Sequence, residues 1–155
     1  RSNHYDITMQ PLAPALAIED CDVFVNNAYT GFAQVDILYA VWDKWKFLNK
    51  QIICISSVSP DVVKGYEWPY SIHKGALDMA CSQLHNIPES NCRVINIKPG
   101  WVNTPGADKA LAALGMASYE GPYKMDPNYI AEVILWCIEQ PEYIQSLTIQ
   151  PRHNA

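Results

Sequence analysis

The alternation of short apolar runs with longer helical stripes is the feature that most constrains the fold of this chain. The short runs have the length of strands and are apolar nearly throughout, which is typical of strands buried on both faces of a parallel sheet. In the longer segments apolar residues recur at helical spacing, as at Leu38, Val41, Trp42 and Trp45. The predicted strands are residues 21–25, 52–56, 93–97 and 143–149, and the predicted helices are residues 35–48, 70–86 and 127–140. Strands that alternate with helices predict an α/β fold of βαβ units with right-handed crossovers.

The composition narrows the class of protein further. The chain has 155 residues, of which 49% are hydrophobic and 17% are charged, so we expect one domain with a packed core. A net charge of -5 without any basic run argues against nucleic acid as a partner, and no apolar run approaches the roughly 20 residues that span a bilayer. The five cysteines form no C-x-x-C pair, and the four histidines lack the spacing of metal ligands. These patterns predict reduced thiols, no metal site and a cytoplasmic location.

The candidate chemistry lies between Ser56 and Lys74. Ser57 follows a predicted strand, while Tyr70 and Lys74 lie one turn apart on the same face of a predicted helix. Reduction of a carbonyl by hydride needs a proton donor, and a serine hydroxyl can orient the carbonyl oxygen. A cation about 4 Å from a phenol, at an effective dielectric of about 20, is worth about 4 kcal/mol, which would lower the tyrosine pKa by roughly three units. On spacing alone, an ordinary exposed pair on an amphipathic helix is the simpler interpretation of Tyr70 and Lys74.

Four motifs, in this order, resemble those of the short-chain dehydrogenase/reductase family. They are Asn26-Asn27-Ala28, Ile55-Ser56-Ser57, Tyr70-x-x-x-Lys74, and Pro99-Gly100-x-Val102-x-Thr104. The resemblance implies a Rossmann-like, doubly wound parallel sheet in three αβα layers. It also implies hydride transfer between NADP(H), or NAD(H), and a small-molecule carbonyl or alcohol. In the family pattern Tyr70 is the acid/base, Lys74 activates it and holds the cofactor ribose, and Ser57 orients the carbonyl.

The resemblance further implies cofactor-binding positions beside Tyr70 and Lys74. They are Asn26 and Ala28 at the ribose, Pro99, Gly100 and Val102 at the nicotinamide, Thr104 near the phosphates, Asp6 at the adenine and Arg1 at a 2′-phosphate. An arginine at that position favours NADP. Simpler interpretations stay open for these positions, namely a turn asparagine, a strand-ending turn and solvated terminal charges.

The chain also departs from the family pattern. No glycine-rich G-x-x-x-G-x-G loop occurs, so the first βαβ portion of the fold is predicted to be missing. The strand at 21–25 would then leave an apolar edge, which we expect a partner chain or upstream residues to cover. The segment between Asn26 and Ser57 is shorter than is usual in the family. The nearest match to the family's catalytic asparagine is Asp36, with Gln34 the less favoured alternative.

Two weaker predictions concern a substrate lid and a dimerisation helix. Met116, Tyr119 and Tyr123 match a mobile substrate lid, or they serve local packing. The helix with Trp42 and Trp45 matches one that the family uses for dimerisation, so a homo-oligomer is expected, with core packing as the equal alternative.

Two other functions compete with the reductase prediction. One is a non-catalytic binding or dimerisation module derived from a reductase, which the absent loop favours. The other is a nucleotide-sugar epimerase or dehydratase, which shares Tyr-x-x-x-Lys but needs a further substrate domain.

Overall fold

The computed structural model describes residues 18–115 and 124–151. Its strands are β1 (Val23–Asn26), β2 (Gln51–Ile55), β3 (Arg93–Pro99) and β4 (Ser146–Ile149). Its helices are α1 (Ala33–Trp45), α2 (Pro69–His85), α3 (Pro105–Ala113) and α4 (Pro127–Glu139), with a 3-10 turn at Ser59–Asp61. The strands form a parallel sheet in the order β1-β2-β3-β4, so the predicted α/β class is confirmed. None of the helices in the two described stretches is long and apolar enough to cross a membrane.

The sheet lies between two helical layers because its strands are apolar on both faces. Side chains alternate across a strand, so Ile52 and Cys54 face one side while Ile53 faces the other. One face packs against α1 and α2, and the opposite face packs against α4. The first cluster contains Leu38, Val41, Trp45, Leu77, Cys81, Leu84 and Val94, and the second contains Ile95, Ile97, Met125, Ile130, Cys137 and Ile149. Trp45 therefore belongs to the core, and the predicted three layers are confirmed.

The third crossover has the opposite hand to the first two. All four strands are parallel and follow each other in sequence order, so every connection steps across the sheet in the same direction. The connections through α1 and α2 run over one face, whereas the connection through α4 runs over the other. Right-handed crossovers throughout were the prediction, and this prediction is wrong because the three connections do not share one hand.

Helix α3 is an element that the sequence pattern did not predict. Residues 104–125 have no regular apolar stripe, which is why no helix is predicted there. The helix begins at Pro105, and the Thr104 side chain caps it by accepting a hydrogen bond from the Ala107 backbone N–H at 3.2 Å. Threonine followed by proline is a typical helix start, and this signal was available in the sequence. Leu111 alone is fully buried on α3, so a nine-residue helix of small residues shows little periodicity.

Strand β1 lies at one edge of the sheet within the described residues, where it pairs only with β2. Its Val25 side chain is 40% exposed. The prediction that another segment or another chain covers this edge stays a prediction.

Candidate active site

The three predicted catalytic side chains meet at the carboxyl end of β2. Ser57 lies two residues beyond that strand, and Tyr70 and Lys74 belong to the first two turns of α2. The Ser57 hydroxyl accepts a hydrogen bond from the Ser59 backbone N–H at 3.0 Å and interacts with the Tyr70 phenol. Because an accepting hydroxyl keeps its own proton free to donate, Ser57 can donate to the phenol or to a substrate oxygen.

The pKa of Tyr70 is raised, not lowered as the spacing predicted. Burial is the largest cause, because it disfavours the charged phenolate. The hydrogen bond from Ser57 lowers the pKa and the nearby Tyr29 raises it, with a net increase. Tyr70 therefore holds its proton at neutral pH, which is the state that a proton donor needs.

Lys74 is a buried cation with two strong hydrogen bonds. Its side chain is 4% exposed, and its ammonium donates to Gln34 Oε1 at 2.8 Å and to the Ile55 carbonyl at 2.7 Å. Burial lowers the pKa of Lys74 to about 8, even though Cys54 and Asp78 raise it. The ammonium is thus fixed in position and half protonated near pH 8.

Gln34, not Asp36, is the residue of α1 that reaches the site. Asp36 is exposed, whereas Gln34 is 2% exposed and bonds directly to Lys74. The Gln34 amide also donates to the carbonyls of Asn26 at 2.6 Å and Ile55 at 3.1 Å. Both residues lie near the start of α1, and their order along the helix decides which one faces inward. Local sequence similarity favoured Asp36 because it does not resolve which side of α1 each residue faces.

Asn26 serves the framework of the site. It is buried, and its amide donates to the Gln34 carbonyl at 2.8 Å and to the Cys54 sulfur at 3.8 Å. With the reverse bond from the Gln34 side chain, this reciprocal pair fastens the end of β1 to the first turn of α1. Its side chain is directed to these buried partners, while Ala28 is exposed.

A second polar network lies beneath the site. Ser56, the neighbour of Ser57, is buried and donates to the Asp78 carboxylate at 2.5 Å. Asp78 also accepts from Asn96 at 2.9 Å and pairs with Lys98 at 3.2 Å. Burial lowers the pKa of Lys98, but Asp61 and Asp78 raise it more, so the net pKa is raised. The two adjacent serines therefore point to different networks, and only Ser57 faces Tyr70.

Tyr29 is a residue of this site that the sequence analysis did not predict. Its ring packs edge-on against Tyr70 at 5.0 Å between centroids, and the Lys74 ammonium lies 5.5 Å from its centroid. Its hydroxyl is hydrogen-bonded to His73 Nδ1 at 2.8 Å. The His73 ring in turn packs against Phe32 at 4.5 Å. A large aromatic residue in the asparagine motif was the signal that could have drawn attention to this contact.

The remaining predicted cofactor positions have structural partners. An added Cβ on Gly100 would come within 3.2 Å of Pro151 Cδ, so the glycine permits close packing of β3 and β4. Pro99 is buried at the end of β3, and Val102 bridges to Met125. Thr104 accepts the capping bond of α3, which leaves its hydroxyl proton free to donate. Arg1, Asp6 and the predicted lid residues Met116, Tyr119 and Tyr123 lie outside the described residues.

The arrangement is that of a Rossmann-type fold, and comparisons with known proteins agree. No family model matches the chain. An uncharacterised oxidoreductase of Staphylococcus haemolyticus is 25% identical over 103 residues, which are 64% of this chain and 42% of that relative. An alcohol dehydrogenase of Thermococcus sibiricus, solved with 5-hydroxy-NADP, superposes with a TM-score of 0.74 at 18% identity, over 99% of this chain and 75% of the other. A short-chain dehydrogenase of Burkholderia cenocepacia, solved with NADP, gives 0.72 at 17% identity, over 95% and 70%.

These likenesses confirm the predicted resemblance to short-chain dehydrogenases at the level of the fold. The chain spans about 70–75% of these two solved structures and aligns with less than half of the curated relative. The activity of the whole protein, its substrate and its partners are therefore matters for proposal.

Proposed function

We propose that this chain carries the catalytic part of an oxidoreductase that reduces a small carbonyl compound with NADP(H), or with NAD(H) as the alternative. The observation that carries the proposal is the meeting of Ser57, Tyr70 and Lys74 at the carboxyl end of β2, where ligands bind in open α/β sheets. A surface pair on an amphipathic helix would not bury the Lys74 ammonium between two hydrogen-bond acceptors.

The residues of the site fit proton delivery to a carbonyl oxygen. NADPH, when bound, supplies the hydride that the carbonyl carbon accepts. Ser57 donates a hydrogen bond to the carbonyl oxygen and orients it. Tyr70 transfers its phenolic proton to that oxygen as the alkoxide forms, and because an alkoxide is a much stronger base than a phenolate, the transfer is favourable even with a raised pKa. The Lys74 cation stabilises the phenolate that remains.

The described residues fit a dinucleotide at its nicotinamide end. The Lys74 ammonium has three donors, of which two are used by Gln34 and Ile55, so one is left for a ribose hydroxyl. The Thr104 hydroxyl proton is available to an anion at the start of α3. The similar T. sibiricus and B. cenocepacia structures were solved with 5-hydroxy-NADP and NADP, which supports the choice of NADP.

The test is the rate at which the chain reduces a panel of small aldehydes and ketones with NADPH, measured from the loss of NADPH absorbance. Tyr70→Phe is expected to lower kcat/KM at least about 100-fold, which is the range of general acid catalysis. Tyr66→Phe is the matched control, because Tyr66 is an exposed tyrosine in the loop that precedes α2. Equal activity of Tyr70→Phe and the wild-type chain would refute the assignment of Tyr70.

A second candidate, a non-catalytic binding module, is favoured by one observation. The ring of Tyr29 lies against the Lys74 ammonium, on the side where a ligand would approach. NADPH binding in a thermal-shift assay, without any turnover that Tyr70→Phe removes, would favour this candidate over the reductase.

The proposal includes assembly into a homo-oligomer. Its support is the pair of large apolar side chains on the outer face of α4, where Leu135 is 59% and Trp136 is 50% exposed. Light scattering after size-exclusion chromatography tests it, and a monomer at micromolar concentration would rule it out.

A further inference from the structure

The Lys74 side chain is buried among the described residues. Two donors are directed inward, to the Gln34 side chain and to the Ile55 carbonyl. Two aromatic rings are its next neighbours, with centroids 5.5 Å away for Tyr29 and 5.6 Å away for Tyr70. No described residue accepts a third hydrogen bond from this ammonium. Any ligand that bonds to Lys74 must therefore arrive on the side of these rings.

Of the two rings, that of Tyr29 is the one free to move. Tyr70 belongs to the first turn of α2, and its phenol interacts with Ser57. Tyr29 belongs to the loop between β1 and α1, and its side chain is 43% exposed. Among the described residues, its hydroxyl forms one hydrogen bond, which joins it to His73 at 2.8 Å. Its contacts with Tyr70 and Lys74 are made by the ring. Rotation of this side chain into solvent breaks one hydrogen bond, one cation–π contact and the ring contacts with Tyr70 and His73, and it leaves the backbone unchanged.

We propose that Tyr29 controls ligand access to Lys74 in this site: its ring, anchored by His73, covers the Lys74 ammonium, and only a ligand that displaces the ring can hydrogen-bond to Lys74. The ligands concerned carry a hydroxyl that can accept a hydrogen bond from the buried Lys74 ammonium. Under the proposed function, on which this part rests, that hydroxyl belongs to the cofactor ribose. The covering ring lowers affinity for every such ligand by the cost of its displacement. A compact residue at position 29 would not have this effect.

The covering of Lys74 by the Tyr29 ring, called the cover below, is tested first without any cofactor. Lysines are acetylated with an N-hydroxysuccinimide ester at pH 8, and the labelled peptides are measured by mass spectrometry. With the pKa of Lys74 at about 8, part of the amine is neutral at this pH, so access limits the reaction. Tyr29→Gly is expected to label Lys74 roughly tenfold faster than wild type, which corresponds to loss of a partly desolvated cation–π contact. Lys109, exposed on α3, reports the activity of the reagent, and Tyr66→Gly is the matched control for loss of an exposed loop tyrosine.

The anchor is tested by a double-mutant cycle. Tyr29→Phe and His73→Ala each remove the same hydrogen bond, so each is expected to raise the labelling rate roughly threefold, and the double variant is expected to add nothing further. Full additivity of the two changes would show that His73 does not hold Tyr29.

NADPH titration then separates the cover from the proposed function. Tyr29→Gly is expected to lower the Kd for NADPH by roughly the same factor as it raises the labelling rate. A labelling rate within twofold of wild type overturns the cover, whatever NADPH does. Faster labelling with no NADPH binding by either protein supports the cover and counts against the proposed cofactor. Faster labelling with an unchanged Kd overturns the proposed effect of Tyr29 on ligand affinity.

Discussion

The burial of Lys74 predicts a specific dependence of stability on pH. The pKa of this lysine is about 8 in the folded chain, against an ordinary value of 10.5, which corresponds to about 3 kcal/mol of folding free energy at neutral pH. Because the folded pKa is lowered, the unfolded chain binds more protons between pH 8 and pH 10.5. The cost of the buried charge is therefore fully present below pH 8 and is relieved as the pH rises.

The perturbation that isolates this contribution is Lys74→Met, which retains most of the side-chain volume and removes the charge. Integration from pH 7 to pH 9.5 gives a gain of roughly 2 kcal/mol for the wild-type chain that the variant lacks. Loss of the donor to Gln34 Oε1 also affects the variant, but this loss is the same at both pH values and cancels in the comparison. The free energy of unfolding of the wild-type chain, minus that of Lys74→Met, should thus increase by roughly 2 kcal/mol between pH 7 and pH 9.5.

Urea unfolding followed by fluorescence of the five tryptophans measures this difference at pH 7 and pH 9.5. Other groups titrate in this range, but they are common to both chains and drop out of the difference. Lys109→Met is the control, because its side chain is exposed and its loss should leave the difference flat. A wild-type minus Lys74→Met difference that changes by less than about 0.5 kcal/mol between the two pH values would refute the reasoning from burial.

Further predictions concern the support of the same site. Gln34→Leu removes the partner of Lys74 and is expected to lower the free energy of unfolding by about 2–4 kcal/mol, whereas Gln34→Glu should raise the pKa of Lys74 and flatten the pH dependence in the urea experiment. A Gln34→Leu variant as stable as wild type would contradict the hydrogen-bond assignment. Gly75→Ala on α2, whose Cβ would make only an ordinary 3.6 Å contact with Pro60 Cβ, should stabilise the chain by up to about 1 kcal/mol. Gly100→Ala, whose Cβ would lie 3.2 Å from Pro151, should destabilise it by about 1 kcal/mol, and the same sign for both glycines in thermal unfolding would argue against this packing.

Much of the fold followed from local patterns. Strand β2 and helix α2 were predicted within a residue of their observed ends, because a buried strand and an amphipathic helix impose their periods directly on the sequence. Helix α3 was missed, since only Leu111 on it is fully buried and a single buried position has no period. The order of the four family motifs likewise predicted that Ser57 and Tyr70 would lie together.

The sequence alone determined which residues could do chemistry and which elements hold them, since residue type and spacing are local properties. Only the tertiary structure decided how these residues meet. It directed Gln34 toward Lys74 and Asp36 toward solvent, because helix α1 can present only one of its faces to the sheet. It raised the pKa of Tyr70, because burial depends on every segment packed around the phenol and not on the lysine one turn away. It also laid the ring of Tyr29 over Lys74, a contact between residues 45 positions apart that no local pattern encodes.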